Sequence, residues 1–392
     1  MRVDRWGGQT WWIVGSCPKH MTHGPCGGVQ DDGSCEAGGP CAFVEPAAAP
    51  HVGTLVATET ARASWEHGRV STPPERELGE TAAALHAQLE LDAVLNAKLG
   101  PDSARPYVVA DLPSAGVGGG VSGAAAADAE RRLAAGIAGS VDAVLLGDAP
   151  WARVQLPPAV RGANVAGEGV VPWCGLNARD RNRAALESEL AALDASGIPA
   201  VHCVTGDHPS LGNRPDVRPV FDLDSTGIVR LAARTTPLLI SAAEAPAAVP
   251  QSDRPARAAA KIAAGAQVLF INHCSPEECA AFVAALSVIA PHPTVPGYPA
   301  VPLIACVPLV ISHGAADRIA KYLGHAPSPD LLAALDAPDP RIAAVDLAVA
   351  HARRLLEIPG IAGIDLSAPA GPGEAEMVVA SLALAGRELA PE

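Results

Sequence analysis

Residues 170–204 read VVPWCGLNARDRNRAALESELAALDASGIPAVHCV. An apolar run opens the stretch and a second one closes it. Between them lies RNRAALESELAALDASG, in which apolar residues recur at helical spacing and a glycine follows. The stretch therefore predicts a buried strand, an amphipathic helix and another buried strand.

The same alternation continues on both sides. The strand-like runs are YVVADL (107–112), DAVLLG (142–147), VVPWCGL (170–176), PAVHCV (199–204), PLLIS (237–241), QVLFIN (267–272), PLIACV (302–307) and GIDLS (363–367). Alanine-rich helical runs such as PARAAAKIAAGA fall between them. Eight alternating units predict an α/β chain folded as a (β/α)8 barrel, a TIM barrel, over residues 101–392. A doubly wound open sheet would alternate too, but the count of eight favours the barrel.

A barrel places its reacting groups at the C-terminal ends of the strands. Asp111, Asp148, the Asn177–Asn182 stretch, Thr205–Gly206–Asp207, Asn272–His273 and Ser312–His313 all follow predicted strands. Charge there is costly unless paired or used. Structural roles compete with functional ones: Asp207 could cap a turn, Asp111 could precede Pro113 in one, and the RDRN run could cap the third helix. GVGGG (116–120) reads as a flexible loop, because it lacks the glycine spacing and following helix of a dinucleotide fingerprint.

Ahead of the barrel stands CPKHMTHGPCGGVQDDGSCEAGGPC (17–41), holding Cys17, Cys26, Cys35 and Cys41. Glycine and proline between them let the backbone turn tightly around an ion. Four thiolates suit zinc or a [4Fe–4S] cluster, and the spacing does not choose between them. Two disulfides or four unrelated thiols are the competing readings. Residues 1–100 are accordingly expected to be a Cys-rich metal-binding module plus a helical connector, TAAALHAQLELDAVLNAKLG (81–100). Trp6, Trp11 and Trp12 are expected to pack the module onto the rest. Of the other five cysteines, Cys274 and Cys279 stand near His273, but no second cluster with ligand spacing is evident.

The chain has 392 residues, 49% hydrophobic and 18% charged, enough for a large core beside a small module. A net charge of −14 argues against nucleic acid and anionic membranes as partners. No signal peptide or membrane span is read from the sequence, which predicts a cytoplasmic, reduced protein; a homo-oligomer is compatible.

Several of these segments resemble the methylenetetrahydrofolate reductase family. LNARDRNRAALESELAALDASGIPAVHCVTGDHP (176–209) is similar to the family's third strand, third helix and fourth strand, with the RDRN and TGD motifs in order. DAVLLGDAPWAR (142–153), VFDLDS (220–225) and AAGAQVLFIN (263–272) resemble further family segments. The CPKxMxxGPCGG…GxCE…C pattern resembles the Cys-rich module of reductases that have an extra metal-binding subunit, although there it is usually separate or C-terminal.

The resemblance implies a barrel that binds tetrahydrofolate compounds, often over a flavin, with an electron-donor protein as a possible partner. Asp207 matches the carboxylate near the flavin and pterin ring. Asn272 matches a glutamine that bonds the pterin. Asp111 takes the place of the glutamate that helps open the methylene bridge. Gly206 and His313 complete the candidate substrate contacts, and Thr205 and Asp180 the candidate cofactor contacts. The chain also departs from the family. Asp111 is shorter than glutamate by a methylene, over ~1 Å of reach. Asn272 is shorter than glutamine, and Gly147 and Gly175 stand where the family has a threonine and a histidine or glutamine. Each change removes a polar contact that flavin or pterin would use. Three readings therefore remain: a reductase-like oxidoreductase, a flavin-free tetrahydrofolate-dependent methyl or one-carbon transferase, and a non-catalytic folate-binding subunit of a redox complex.

Overall fold

A computed structural model describes residues 17–19, 21, 25–44 and 98–390, except 115, 148–153, 210–216, 324–325 and 372, together with a short antiparallel pair, Arg5–Trp6 and Gln9–Thr10. The predicted 81–100 helix lies outside these residues up to position 97, as do the side chains of Trp6, Trp11 and Trp12.

Eight parallel strands close into a barrel. They are β1 (Tyr107–Asp111), β2 (Ala143–Leu146), β3 (Pro172–Asn177), β4 (Ala200–Val204), β5 (Leu239–Glu244), β6 (Val268–Ile271), β7 (Leu303–Pro308) and β8 (Ile361–Ser367). Each pairs with the next, and β8 returns to β1. The protein is a (β/α)8 barrel, as the alternation predicts. The helices are α1 (Gly123–Ile137), α2 (Pro158–Ala166), α3 (Arg183–Ala195), α4 (Ser225–Thr235), α5 (Arg254–Ala264), α6 (Pro276–Ile289), α7 (His313–Leu323), α8 (Pro329–Leu335), α9 (Pro340–Leu356) and α10 (Ala375–Leu389). Two more helices, α8 and α9, thus separate α7 from β8.

Local chemistry sets the helix starts. Asn182 accepts from the Ala185 amide and caps α3; Asp224 accepts from Gly227 and caps α4. Ser275 and Glu278 form a reciprocal capping box on α6. The RDRN and FDLDS motifs therefore contribute helix caps. Asp222 adds to this by accepting from the Arg183 amide at 2.8 Å.

Alternate strand residues face two cores. One core fills the space between strands and helices and includes Val108, Leu146, Leu176, Ile240, Leu269 and Leu366. The other fills the barrel interior with Tyr107, Val109, Leu145, Trp173, Phe270 and Ile304, and Leu99 joins it from the segment before β1. Trp173 presents its ring edge-on to Tyr107 at 6.4 Å and to Phe270 at 5.1 Å. These rings floor the barrel, so any site must lie above them, at the C-terminal mouth.

No helix among the described residues is long and apolar enough to cross a membrane.

Candidate functional site

Above the aromatic floor, the inward positions turn polar. His202 on β4 sets its Nδ1 2.9 Å from Ser241 Oγ on β5 and lays its ring against Phe270 at 4.7 Å. Burial, with Lys261 adding to it, pushes this imidazole down to about 3, so it is neutral at ordinary pH.

On the opposite side of the mouth, β1, β7 and β8 bring two carboxyls and a thiol together. In the strand register Asp365 stands opposite Cys306 on β7 and Val109 on β1, so Asp111 lies one inward position nearer the mouth. The Cys306 thiol donates to Asp365 Oδ2 at 3.3 Å. Asp365 is 1% exposed, and its Oδ1 has no hydrogen-bond partner among the described residues. Burial raises Asp365 to about 7, against a pull from the Cys306 thiol. Burial, then the charge of Asp365, raises Asp111 well above the carboxylate range, and Arg161 opposes this. At the rim, His273 sets Nδ1 3.3 Å from the Cys306 carbonyl and Nε2 3.0 Å from Ser367 Oγ. Gly363 makes the arrangement possible. The β8–β7 register shifts between Ile361 and Gly363, and a Cβ at 363 would lie 2.3 Å from the Tyr107 carbonyl oxygen.

Across the mouth, the TGD loop follows β4. Gly206 has φ +86°, and a Cβ there would press within 3.0 Å of Asn177 Cβ, so this position needs glycine. Asp207 is half-buried and lies within electrostatic reach of Lys19 in the Cys-rich module. Lys19 Nζ meets Glu36 Oε1 at 2.7 Å, and the same oxygen accepts from the His208 amide at 3.0 Å. Burial works against the Lys19 charge, but Cys26, Glu36 and Asp207 outweigh it and hold the ammonium protonated. Lys19 Nζ also stands 5.8 Å over the ring of Phe221, a fully buried residue at φ 41°. A left-handed phenylalanine is a strained conformation, found here where the module meets the barrel. Arg254 at the start of α5 adds a second tie, donating to the carbonyls of Pro25 at 3.3 Å and Cys26 at 3.1 Å.

Within the module, Cys17, Cys26 and Cys41 share a small core with Met21, Val29, Phe43 and Val44. Burial pushes Cys17 and Cys35 up to about 12 and Cys41 to about 11, and the other thiols of the set add to each shift. Cys26 Sγ accepts from the Gly28 amide at 3.4 Å and from Lys19 Nζ at 3.6 Å. Among the described residues, no three His, Cys, Asp or Glu side chains stand in ion-holding geometry. The four thiols occupy one electrostatic neighbourhood without closing into a polyhedron.

The remaining sequence candidates fall in different places. Asn272 directly follows β6, with its Oδ1 accepting from the His273 amide at 3.0 Å. Thr205 is buried and its Oγ accepts from the Ser225 amide at 3.0 Å, bracing α4. Asp180 is exposed and pairs with Arg179 at 2.6 Å. His313 is exposed and pairs with Asp336 at 3.1 Å, at the N-terminal end of α7. Asp365 and Cys306 were not among the sequence candidates. Their signal was a charge and a thiol inside strands that are otherwise apolar.

The fold has solved relatives. The chain is similar to an uncharacterized protein from Clostridium thermocellum that binds two copies of 5-methyl-5,6,7,8-tetrahydrofolic acid, with a TM-score of 0.55, 14% identity, and coverage of 75% of this chain and 97% of that chain. Weaker likenesses are to a 2,3-dimethylmalate lyase of the PEP mutase/isocitrate lyase superfamily (TM-score 0.40, 12% identity, 71% and 80% covered) and to EDTA monooxygenase from Chelativorans sp. BNC1 (0.43, 13%, 72% and 94%). At these identities the likeness is one of fold. No known protein family matches the sequence, and no curated protein does.

The donor set does not suit a flavin. Gly147 and Gly175 contribute no side chain, and a Cβ at Gly147 would meet nothing within 4 Å. Thr205 and Asp180, the candidate cofactor contacts, are engaged as described. The mouth instead offers acids on two sides: Asp111 with Asp365, and Asp207.

Proposed function

We propose that this barrel binds a reduced folate and acts on its one-carbon unit, as a methylenetetrahydrofolate reductase-like oxidoreductase. The observation that carries this reading is the pair of acid sites flanking the mouth. Asp207 after β4 would accept hydrogen bonds from the pterin's amide and amino edge, and the Asn272 side chain after β6 would add a further contact. Gly206 lets the ring come close to the backbone. Asp111, held protonated by its surroundings, would act as general acid. The methylene bridge opens at its bond to the outer nitrogen; the bond's electron pair stays on that nitrogen, which takes the proton from Asp111, and an iminium remains on the ring side. A hydride from a reduced nicotinamide co-substrate would then give the methyl group. The binding of 5-methyltetrahydrofolate by the Clostridium barrel supports the substrate class.

Cys17, Cys26, Cys35 and Cys41 supply the thiols for a thiophilic metal centre, which would have to draw them closer than they stand here. Zinc there would staple the module, whereas a [4Fe–4S] cluster would accept electrons from a donor protein. All nine cysteines are free, which fits a reducing, cytoplasmic setting.

A second reading, flavin-free methyl transfer to tetrahydrofolate, is favoured by Gly147 and Gly175. One set of measurements separates the two. A spectrum of protein purified without oxygen reports iron–sulfur and flavin together, and turnover is then assayed with methylenetetrahydrofolate plus nicotinamide and with tetrahydrofolate plus a methyl donor. Asp207→Ala is expected to weaken tetrahydrofolate binding at least tenfold, with metal content unchanged. Undiminished binding by that variant overturns the site.

A further inference from the structure

We propose that Asp111 and Asp365 act as one carboxyl pair sharing a single proton at the barrel mouth, and that Asp365 is the positioning residue that decides when Asp111 releases it. The inference deepens the folate reading and rests on it for the identity of the proton acceptor.

The pair is built by the strands. Asp111 ends β1, and Asp365 lies on the adjacent β8, one inward position below it. Two like charges so placed, Asp365 buried and Asp111 half-buried, cannot both ionise cheaply. The side chains facing them do not neutralise them. Cys306, from β7, offers a weak S–H donor to Asp365 Oδ2. His273, at the end of β6, is turned to the Cys306 carbonyl and Ser367, and burial keeps its pKa below the usual value. The one cation within electrostatic reach among the described residues is Arg161 on α2, which donates to Glu130 at 2.6 Å and to the Gly147 carbonyl at 2.7 Å.

Asp365 Oδ1 is the second observation. It is a fully buried acceptor with no donor among the described residues. An unmet acceptor inside a protein carries a penalty that a proton, or a donor on a ligand, removes. Shared between the two carboxyls, the proton meets that need in the free protein. When Asp111 gives it to the departing folate nitrogen, the pair becomes a dianion, and water restores the proton after the products leave. Asp365 keeps the proton on Asp111 to higher pH, because its own negative charge lies next to the carboxylate that would form there.

The first test needs no folate. Infrared spectra of ligand-free protein across pH should show a protonated carboxyl C=O band persisting to about pH 7. Asp365→Asn should move its midpoint down by about one unit, because the like charge is gone. Asp111→Asn/Asp365→Asn together should remove the band. A wild-type protein without this band at pH 6, or a midpoint unmoved by Asp365→Asn, overturns the pair. The second test is the pH profile of kcat/KM. Turnover needs the proton, so activity falls as pH rises through the pair's pKa. Asp365→Asn should bring that fall to lower pH, making its loss about tenfold greater at pH 8 than at pH 5.5. A merely structural defect lowers the rate equally at both. Protein that passes the infrared test but neither binds nor turns over a folate keeps the pair and refutes the folate reading alone.

Discussion

Glu244 and Asp365 are both carboxylates near the mouth of the same barrel, and both are almost wholly buried, at 3% and 1% exposure. Their surroundings are opposite. Glu244 ends β5 amid three cations: Lys261 Nζ at 2.8 Å, Arg254 Nη1 at 3.7 Å and Arg257 Nε at 3.9 Å. These outweigh burial and bring it down to about 2. Asp365 has another carboxyl and a thiol, and burial takes it up to about 7. Burial alone therefore says little about what an acid does; the charges packed around it decide. Glu244 is a joint, fixing β5 to α5 and, through Arg254, the barrel to the Cys-rich module. Asp365 keeps an oxygen unmet, which is how a group waits for a proton or a ligand.

The largest expected effect falls on the joint. Glu244→Gln leaves three cations buried without their counter-charge, a change that costs about 3–5 kcal/mol. The pH dependence has a definite sign. Glu244 is depressed in the fold, so its contribution is complete above the unfolded value of 4.5 and disappears as pH falls toward 2. Denaturant unfolding at pH 7 should show the full difference, and the two proteins should converge in acid. A loss under about 1 kcal/mol at pH 7 would mean that the cations, too, are held by other partners, and the comparison would break.

The opposite sign is expected at the mouth. Asp365 is raised in the fold, so between pH 3.8 and about 7 the native state holds a proton that the unfolded chain has lost. Stability contributed by this group is thus present in acid and declines as pH rises through that window. Asp365→Asn removes the decline. It should leave the protein more stable than wild type by about 2 kcal/mol at pH 8, with the gain fading toward pH 4. Equal stability at both pH values would show that solvent relieves Asp365 and that the two acids are not opposites.

The sequence made one side of this comparison easier to see than the other. Parallel strands buried on both faces read as continuous apolar runs, so all eight were visible, though not to their observed ends. Asp111 and Asp207 were visible because each closes such a run, where a charge stands out. Asp365 was hidden inside GIDLS: whether it faces inward depends on the irregular register at Ile361–Gly363, set by a close approach to Tyr107 that no spacing rule encodes. Glu244 was hidden because β5 runs three residues past PLLIS, through two alanines that read as loop. The contact of Glu36 with the His208 amide spans 172 positions and has no local signature at all. Asn182 and Asp224 show the converse: conspicuous motif residues whose work is to start helices.

The smallest effect sharpens the comparison most, because it reverses direction within one site. The Cys306 thiol bonds the charged form of Asp365 and so holds its pKa down, in the one role at this mouth that resembles what the cations do for Glu244. Cys306→Ala removes that bond and opens space for only one sulfur. The pair should then keep its proton to higher pH, with the descending limb of kcat/KM moving up by less than about one unit, whereas Asp365→Asn moves it down. A weak donor can produce no more than this, since S–H bonds are weaker than O–H or N–H bonds. Limbs that move the same way in both variants would mean that the acid setting the profile is not part of this pair.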